Sequence, residues 1–221
     1  MQICSMAAAA PHRPIPPALE RPAEAEDINL IGIALKFARD QEIFGEGETA
    51  DRVYKVVKGA VRCLRVLADG RRQIFQFYLP GDVFGVEAGL EHRATAEALT
   101  DSVIISARRI TLATEEGDLP RRLWRLAIAD LQCSQDHVLT LGRRAAGERV
   151  ASLLVELAGR TGGDETVELP MSRQDMADYL GLTIETVSRT LTHLQASGVI
   201  SMHGCRSIHL NRPEALAELC E

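Results

Sequence analysis

Hydrophobic and polar positions follow two different rhythms along this chain, and the change falls near Pro120. Before it, short β-rich runs at Val53–Val57, Val61–Leu67 and Gln73–Leu79 alternate with glycines at Gly47, Gly59, Gly70 and Gly81, spaced by 12, 11 and 11 residues. Strands this short at this spacing predict an all-β barrel or sandwich. Asp69-Gly70, between two of the runs, predicts a type I′ hairpin turn, which needs positive φ at both central residues. Another strand is expected over Ser102–Ser106. The runs do not resemble one another, so the regular glycines imply no solenoid.

After Pro120 the period becomes helical. Trp124, Ile128, Leu131, Gln135 and Val138 step by 4, 3, 4 and 3, the spacing of a coiled-coil seam. A helix packed on its own barrel would carry a similar stripe. A second helix is expected from Glu148 to Ala158, with Val150, Leu153, Leu154 and Leu157 on one face and Gly159 at its end. Before the β-rich part, Pro11, Pro14, Pro16, Pro17 and Pro22 and the acidic group Glu24, Glu26 and Asp27 predict a tail without helix or central strand.

The stretch SRQDMADYLGLTIETVSRTLTHLQA at 172–196 carries the most chemistry. Ser172 can cap a helix, with Asp175 three positions on in a capping box. Met176, Ala177 and Leu180 form its apolar side, and Gly181 supplies a left-handed helix end. Thr183 caps the next helix, whose inner side is Ile184 or Val187, then Leu191 and Leu194. Two short helices around a glycine turn make a helix-turn-helix. On the outward face of the second, Glu185, Ser188 and Arg189 lie at i, i+3 and i+4, where a recognition helix meets base edges. Arg fits the guanine O6 and N7 acceptors, Glu accepts from the cytosine amino group, and Ser serves either. Val199-Ile200 and Ser207–Leu210, around His203-Gly204-Cys205-Arg206, predict a β-wing with Arg206 near its tip as a phosphate contact. A final helix is expected from Pro213 to Leu219.

Composition refines this picture. The net charge of -6 in 221 residues excludes bulk, sequence-independent attraction to nucleic acid or to an anionic membrane. Even residues 147–221 hold six basic against eleven acidic side chains. From Ser172 to Arg212, however, Arg173, Arg189, Arg206 and Arg212 outnumber Asp175, Asp178 and Glu185. Selection must therefore rest on a few base contacts. Cys4, Cys63, Cys133, Cys205 and Cys220 are scattered without C-x-x-C spacing, which fits reduced thiols in a cytoplasm and no zinc or redox pair. No run approaches the ~18 apolar residues of a spanning helix, and the first ten residues lack the charged start of a secretory signal. His92 is the only histidine in the β-rich region, too few ligands for a metal cupin.

At these residues the chain resembles the CRP/FNR family of bacterial transcription regulators. MSRQDMADYLGLTIETVSR at 171–189 is most similar to the FixK-type subgroup, and DGRRQIFQFYLPGDVFGVEAG at 69–89 extends the likeness over most of the chain. The resemblance implies an α+β fold: a tail over 1–28, a cyclic-nucleotide-binding-like β-roll over 29–116, a dimerisation helix over 117–145 with Trp124, Ile128, Leu131, Gln135 and Val138 at its seam, and a C-terminal winged helix-turn-helix over 146–221. It implies a homodimer on a palindrome similar to TTGAT-N4-ATCAA, read by Glu185, Ser188 and Arg189, with Ser172, Arg173, Thr183, Thr186 and Arg206 as candidate backbone contacts. RNA polymerase is the second implied partner. The chain departs from two relatives. Cys4 alone cannot hold the iron–sulfur cluster of FNR-like oxygen sensors, which needs four ligands. Gly85 is followed by Val86, and Arg93 by Ala94, so the carboxylate and hydroxyl that cyclic-AMP receptors use are missing. FixK-type regulators look active without an effector, so neither cofactor nor metal nor catalytic role is expected. Cys205, in the wing, is a candidate oxidation site beside phosphates.

Overall fold

The computed structural model describes residues 30–109, 119–160 and 165–220; the tail expected over 1–28 lies outside them. The β-rich half forms β1 (Ile33–Phe37), β2 (Glu42–Phe44), β3 (Arg52–Lys58), β4 (Val61–Val66), β5 (Arg72–Tyr78), β6 (Val83–Phe84), β7 (Thr95–Ala98) and β8 (Ser102–Arg108). They build two four-stranded antiparallel sheets, ordered β1-β8-β3-β6 and β2-β7-β4-β5. Alternating residues fill the space between the sheets, with Val56, Val61, Phe84, Ala96 and Ile104 at its centre.

The β4–β5 hairpin corrects one expectation. Its turn runs through Ala68 and Asp69, with the Gly70 N–H donating to the Leu67 carbonyl at 2.9 Å and the Leu67 N–H to the Arg71 carbonyl at 2.8 Å. Gly70 has φ 81° while Asp69 does not enter the left-handed region. This is a three-residue loop with glycine in the left-handed position, and not a two-residue type I′ turn. The Asp69 carboxylate stabilises it by accepting from the Arg71 N–H at 3.0 Å.

Next come α1 (Leu119–Arg143) and α2 (Ala146–Arg160), the latter one residue past the predicted Gly159 stop. Leu126 of α1 packs on Val53, Val83 and Ala107 of the roll. The predicted seam does not: Trp124 and Val138 are 68% and 66% exposed, and Ile128, Leu131 and Gln135 also face outward. In α2, Val150, Leu153, Leu154 and Leu157 are buried. They share one core with Leu64, Ile74 and Phe77 of the roll and with the helix-turn-helix.

The C-terminal part adds β9 (Thr166–Glu168), α3 (Arg173–Leu180), α4 (Ile184–Ala196), β10 (Ile200–His203), β11 (Ser207–Leu210) and α5 (Pro213–Glu218). The wing is a three-stranded sheet ordered β10-β11-β9. Its outer strand β9 lacks a signal of its own, because it is three residues long and pairs with β11 some 40 positions later.

Candidate nucleic-acid interface

Local hydrogen bonds set the two helices of the reading unit. At the start of α3, the Ser172 hydroxyl accepts from the Asp175 N–H at 3.1 Å and the Asp175 carboxylate accepts from the Ser172 N–H at 3.0 Å, a closed capping box. The chain leaves α3 through Gly181 at φ 61°, and the Leu182 N–H returns to the Ala177 carbonyl at 3.0 Å. Thr183 then caps α4, its hydroxyl accepting from the Thr186 N–H at 3.2 Å. Between Ile184 and Val187, the structure chooses Val187: it is fully buried with Leu191 and Leu194, while Ile184 is 37% exposed.

That rotation turns Glu185, Ser188 and Arg189 out to solvent, where they line one shallow depression with Ile184. Its own backbone N–H and the Thr183 hydroxyl, with Arg189 adding less, hold the Glu185 carboxyl below its usual range. It is an acceptor at neutral pH. The Ser188 hydroxyl donates to the Ile184 carbonyl at 2.8 Å, which leaves its lone pairs outward. Arg189 forms no ion pair among the described residues.

The candidate backbone contacts differ from one another. The Ser172 hydroxyl is engaged with Asp175, to which it also donates at 2.6 Å. Arg173 is half-buried, its guanidinium against the sulfurs of Met176 and Met202 at 3.9 and 3.5 Å with no carboxylate partner among the described residues. Burial moves its pKa down from the ordinary arginine value. Thr183 and Thr186 bond each other at 3.1 Å beside the helix start. Arg206 and Cys205 are exposed on the wing turn.

The sequence pattern missed a set of residues that come from the roll. Asp175 accepts from Arg62 at 3.0 Å and from Arg72 at 3.5 Å, and Asp178 from Arg72 at 2.8 Å. Gln73 donates to the Asp178 carbonyl at 2.9 Å. Arg62 and Asp175 are 113 positions apart, and no local pattern announces such a pair. Both aspartates are thus paired with arginines of the roll, while Arg173, Arg189, Arg206 and Arg212 of the Ser172–Arg212 window pair with neither of them.

Inside the roll, aromatic rings occupy the space between the sheets. His92 stacks on Phe44 at 3.6 Å, Phe44 lies 5.3 Å from Tyr54, and Phe84 lies 5.3 Å from Tyr54 and 5.1 Å from Tyr78. His92 is buried, and that burial lowers its pKa against the pull of Glu87 nearby, so it stays neutral at physiological pH. Burial likewise pushes the Cys63 thiol up to about 12. Val86 is exposed, as is Arg93. Among the described residues no three metal-ligating side chains gather, and no helix is long and apolar enough to cross a membrane.

A β-roll joined through a long helix to a winged helix-turn-helix is the architecture of a DNA-binding transcription regulator. Residues 34–114 match the family described as the cyclic nucleotide-binding domain, and 148–219 the Crp-like helix-turn-helix domain. The nitrogen fixation regulation protein FixK of Azorhizobium caulinodans is 46% identical over 207 residues, covering 90% of this chain and 83% of that protein. FixK of Rhizobium meliloti is 46% identical over 180 residues, covering 81% and 83%. The structure of FixK2 from Bradyrhizobium japonicum superposes with a TM-score of 0.83 at 44% identity, covering 87% of this chain and 98% of that one. The chain belongs to the CRP/FNR family of transcription regulators, in its FixK-type group.

Proposed function

We propose that this chain is a homodimeric, sequence-specific transcription regulator, mainly an activator, that binds a TTGAT-N4-ATCAA-like palindrome without a small-molecule effector. Glu185, Ser188 and Arg189 read base edges, while Arg173, Thr183, Thr186 and Arg206, with the α3 start at Ser172, meet the backbone. The observation that carries this is the exposure of all three reading residues on a doubly capped helix-turn-helix. The bare seam of α1 supports a second copy as the partner of Trp124, Ile128, Leu131, Gln135 and Val138, because a stripe this apolar is unfavourable in water. The aromatic fill of the roll supports effector independence, since a ligand there would have to displace stacked rings. The FixK relatives direct the reading to microaerobic or nitrogen-fixation promoters in the cytoplasm, with RNA polymerase as the partner of the bound dimer. Retardation of a TTGAT palindrome, but not of a scrambled duplex, by metal-free and nucleotide-free protein tests it. A strict requirement for an added ligand would replace it with a ligand-gated regulator.

A further inference from the structure

The roll meets the reading unit through charges that the helix-turn-helix does not supply for itself. Arg62 lies on β4 with its side chain 8% exposed, and its guanidinium serves three carboxylates: Asp175 at 3.0 Å, Glu97 at 2.6 Å and Asp40 at 3.1 Å. Asp175 is the buried residue of the α3 capping box, so one oxygen faces Ser172 and the other faces the roll. Arg72 and Gln73 extend the contact along α3 to Asp178. At the opposite end of α3, Arg149 donates to the Leu180 carbonyl at 3.0 Å, and to the carbonyls of Leu141 and Arg144 at the α1–α2 junction at 2.8 and 2.9 Å. Helix α3 is therefore gripped at its start by the roll and at its end by the junction between the long helices. Since α3 and α4 share one core, fixing α3 fixes the recognition helix.

We propose that Arg62 and Arg72 are positioning residues for DNA reading: through Asp175 and Asp178 they hold the helix-turn-helix in its DNA-reading orientation relative to the roll. This deepens, and rests on, the effector-independent function proposed above. Neither arginine touches DNA in this account. Losing the clamp leaves the competent orientation only partly populated and raises the apparent Kd by the inverse of that fraction.

The test uses the full chain in fluorescence anisotropy on the TTGAT palindrome, with a salt titration and a thermal melt for each variant. Arg72→Ala is expected to weaken binding several-fold, and Arg62→Met roughly tenfold, with the slope of log K against log salt unchanged. A slope shallower by about one per protomer would make the arginine a direct phosphate contact and overturn the proposal. Arg62→Met/Asp175→Asn removes the most buried of the three carboxylates that Arg62→Met strands and keeps an oxygen for Ser172. The clamp predicts that this pair recovers part of the melting temperature and leaves affinity low. Recovery of both would reduce Arg62 to neutralising a buried charge and sink the idea. Should Arg62→Met not fold, Arg72→Ala decides alone, and undiminished affinity refutes it. If the unaltered protein itself ignores the palindrome, the proposed function fails. The clamp is then judged by hydrogen exchange, where faster exchange in α3 and β4 of the double variant supports it and unchanged exchange rejects it.

Discussion

Arg189→Ala separates reading of DNA from holding the fold together. Arg189 is exposed and forms no ion pair among the described residues, so its truncation removes no buried contact, and the change in stability should stay within about 0.5 kcal/mol. Its effect falls on DNA. A bidentate Arg–guanine pair discriminates by ~1–3 kcal/mol, and a two-fold dimer uses it twice at well-separated positions. The loss for the dimer is then about 2–6 kcal/mol, or roughly 30-fold to 20,000-fold in Kd at 1.4 kcal/mol per factor of ten. The assay is anisotropy at fixed salt on the palindrome and on duplexes altered symmetrically at each base pair, with a melt of the same samples. The variant should lose preference at one position per half-site and keep it at the others. Undiminished affinity, or an equal loss on every duplex, would refute the assignment of Arg189 to base reading.

Other consequences are independent of that one. Leu131→Asp on the exposed seam should convert a dimer to a monomer in sedimentation without lowering helix content, because the side chain is 53% exposed in its own chain; an unchanged dimer would move the interface elsewhere. The folded-state pKa of His92 is depressed, so its contribution is present above 6.5 and is lost as the pH falls through the folded value, when the unfolded chain takes up the proton first. His92→Phe, retaining the stack on Phe44, should flatten the fall in melting temperature on acidification. The Cys63 pKa is raised from 9.0 to about 12, so native alkylation at pH 8 should label exposed Cys205 rapidly and the partly buried Cys63 far more slowly. Comparable labelling of both in the native protein would contradict the burial.

The helix-turn-helix was legible because its determinants are local. Ser172 with Asp175, Gly181 and Thr183 act within four residues of the backbone groups they satisfy, and the 3.6 period turns Glu185, Ser188 and Arg189 outward whatever surrounds the helix. Strands β3, β4, β5 and β8 were legible for the same reason, each being a run of β-branched and aromatic residues. The two-residue strand β6, the short inner strand β7 and the edge strands β1, β2 and β9 were not, since their pairing depends on partners elsewhere in the chain. The hairpin at Asp69-Gly70 lies between these cases: composition announced a turn, and the Asp69 carboxylate bonded to the Arg71 N–H selected its type.

What the sequence determined by itself was the class of protein, the two caps and the side chains that α4 turns outward. Only the tertiary structure decided which groups pair with the acidic side chains of α3. Asp175 and Asp178 count against nucleic acid in the sequence sum, yet in the fold Arg62 and Arg72 pair with them from the sheet of the roll that holds β4 and β5. Capping and periodicity act over one turn of helix, whereas Coulomb attraction between groups 3.0 Å apart takes no account of the 113 residues between them.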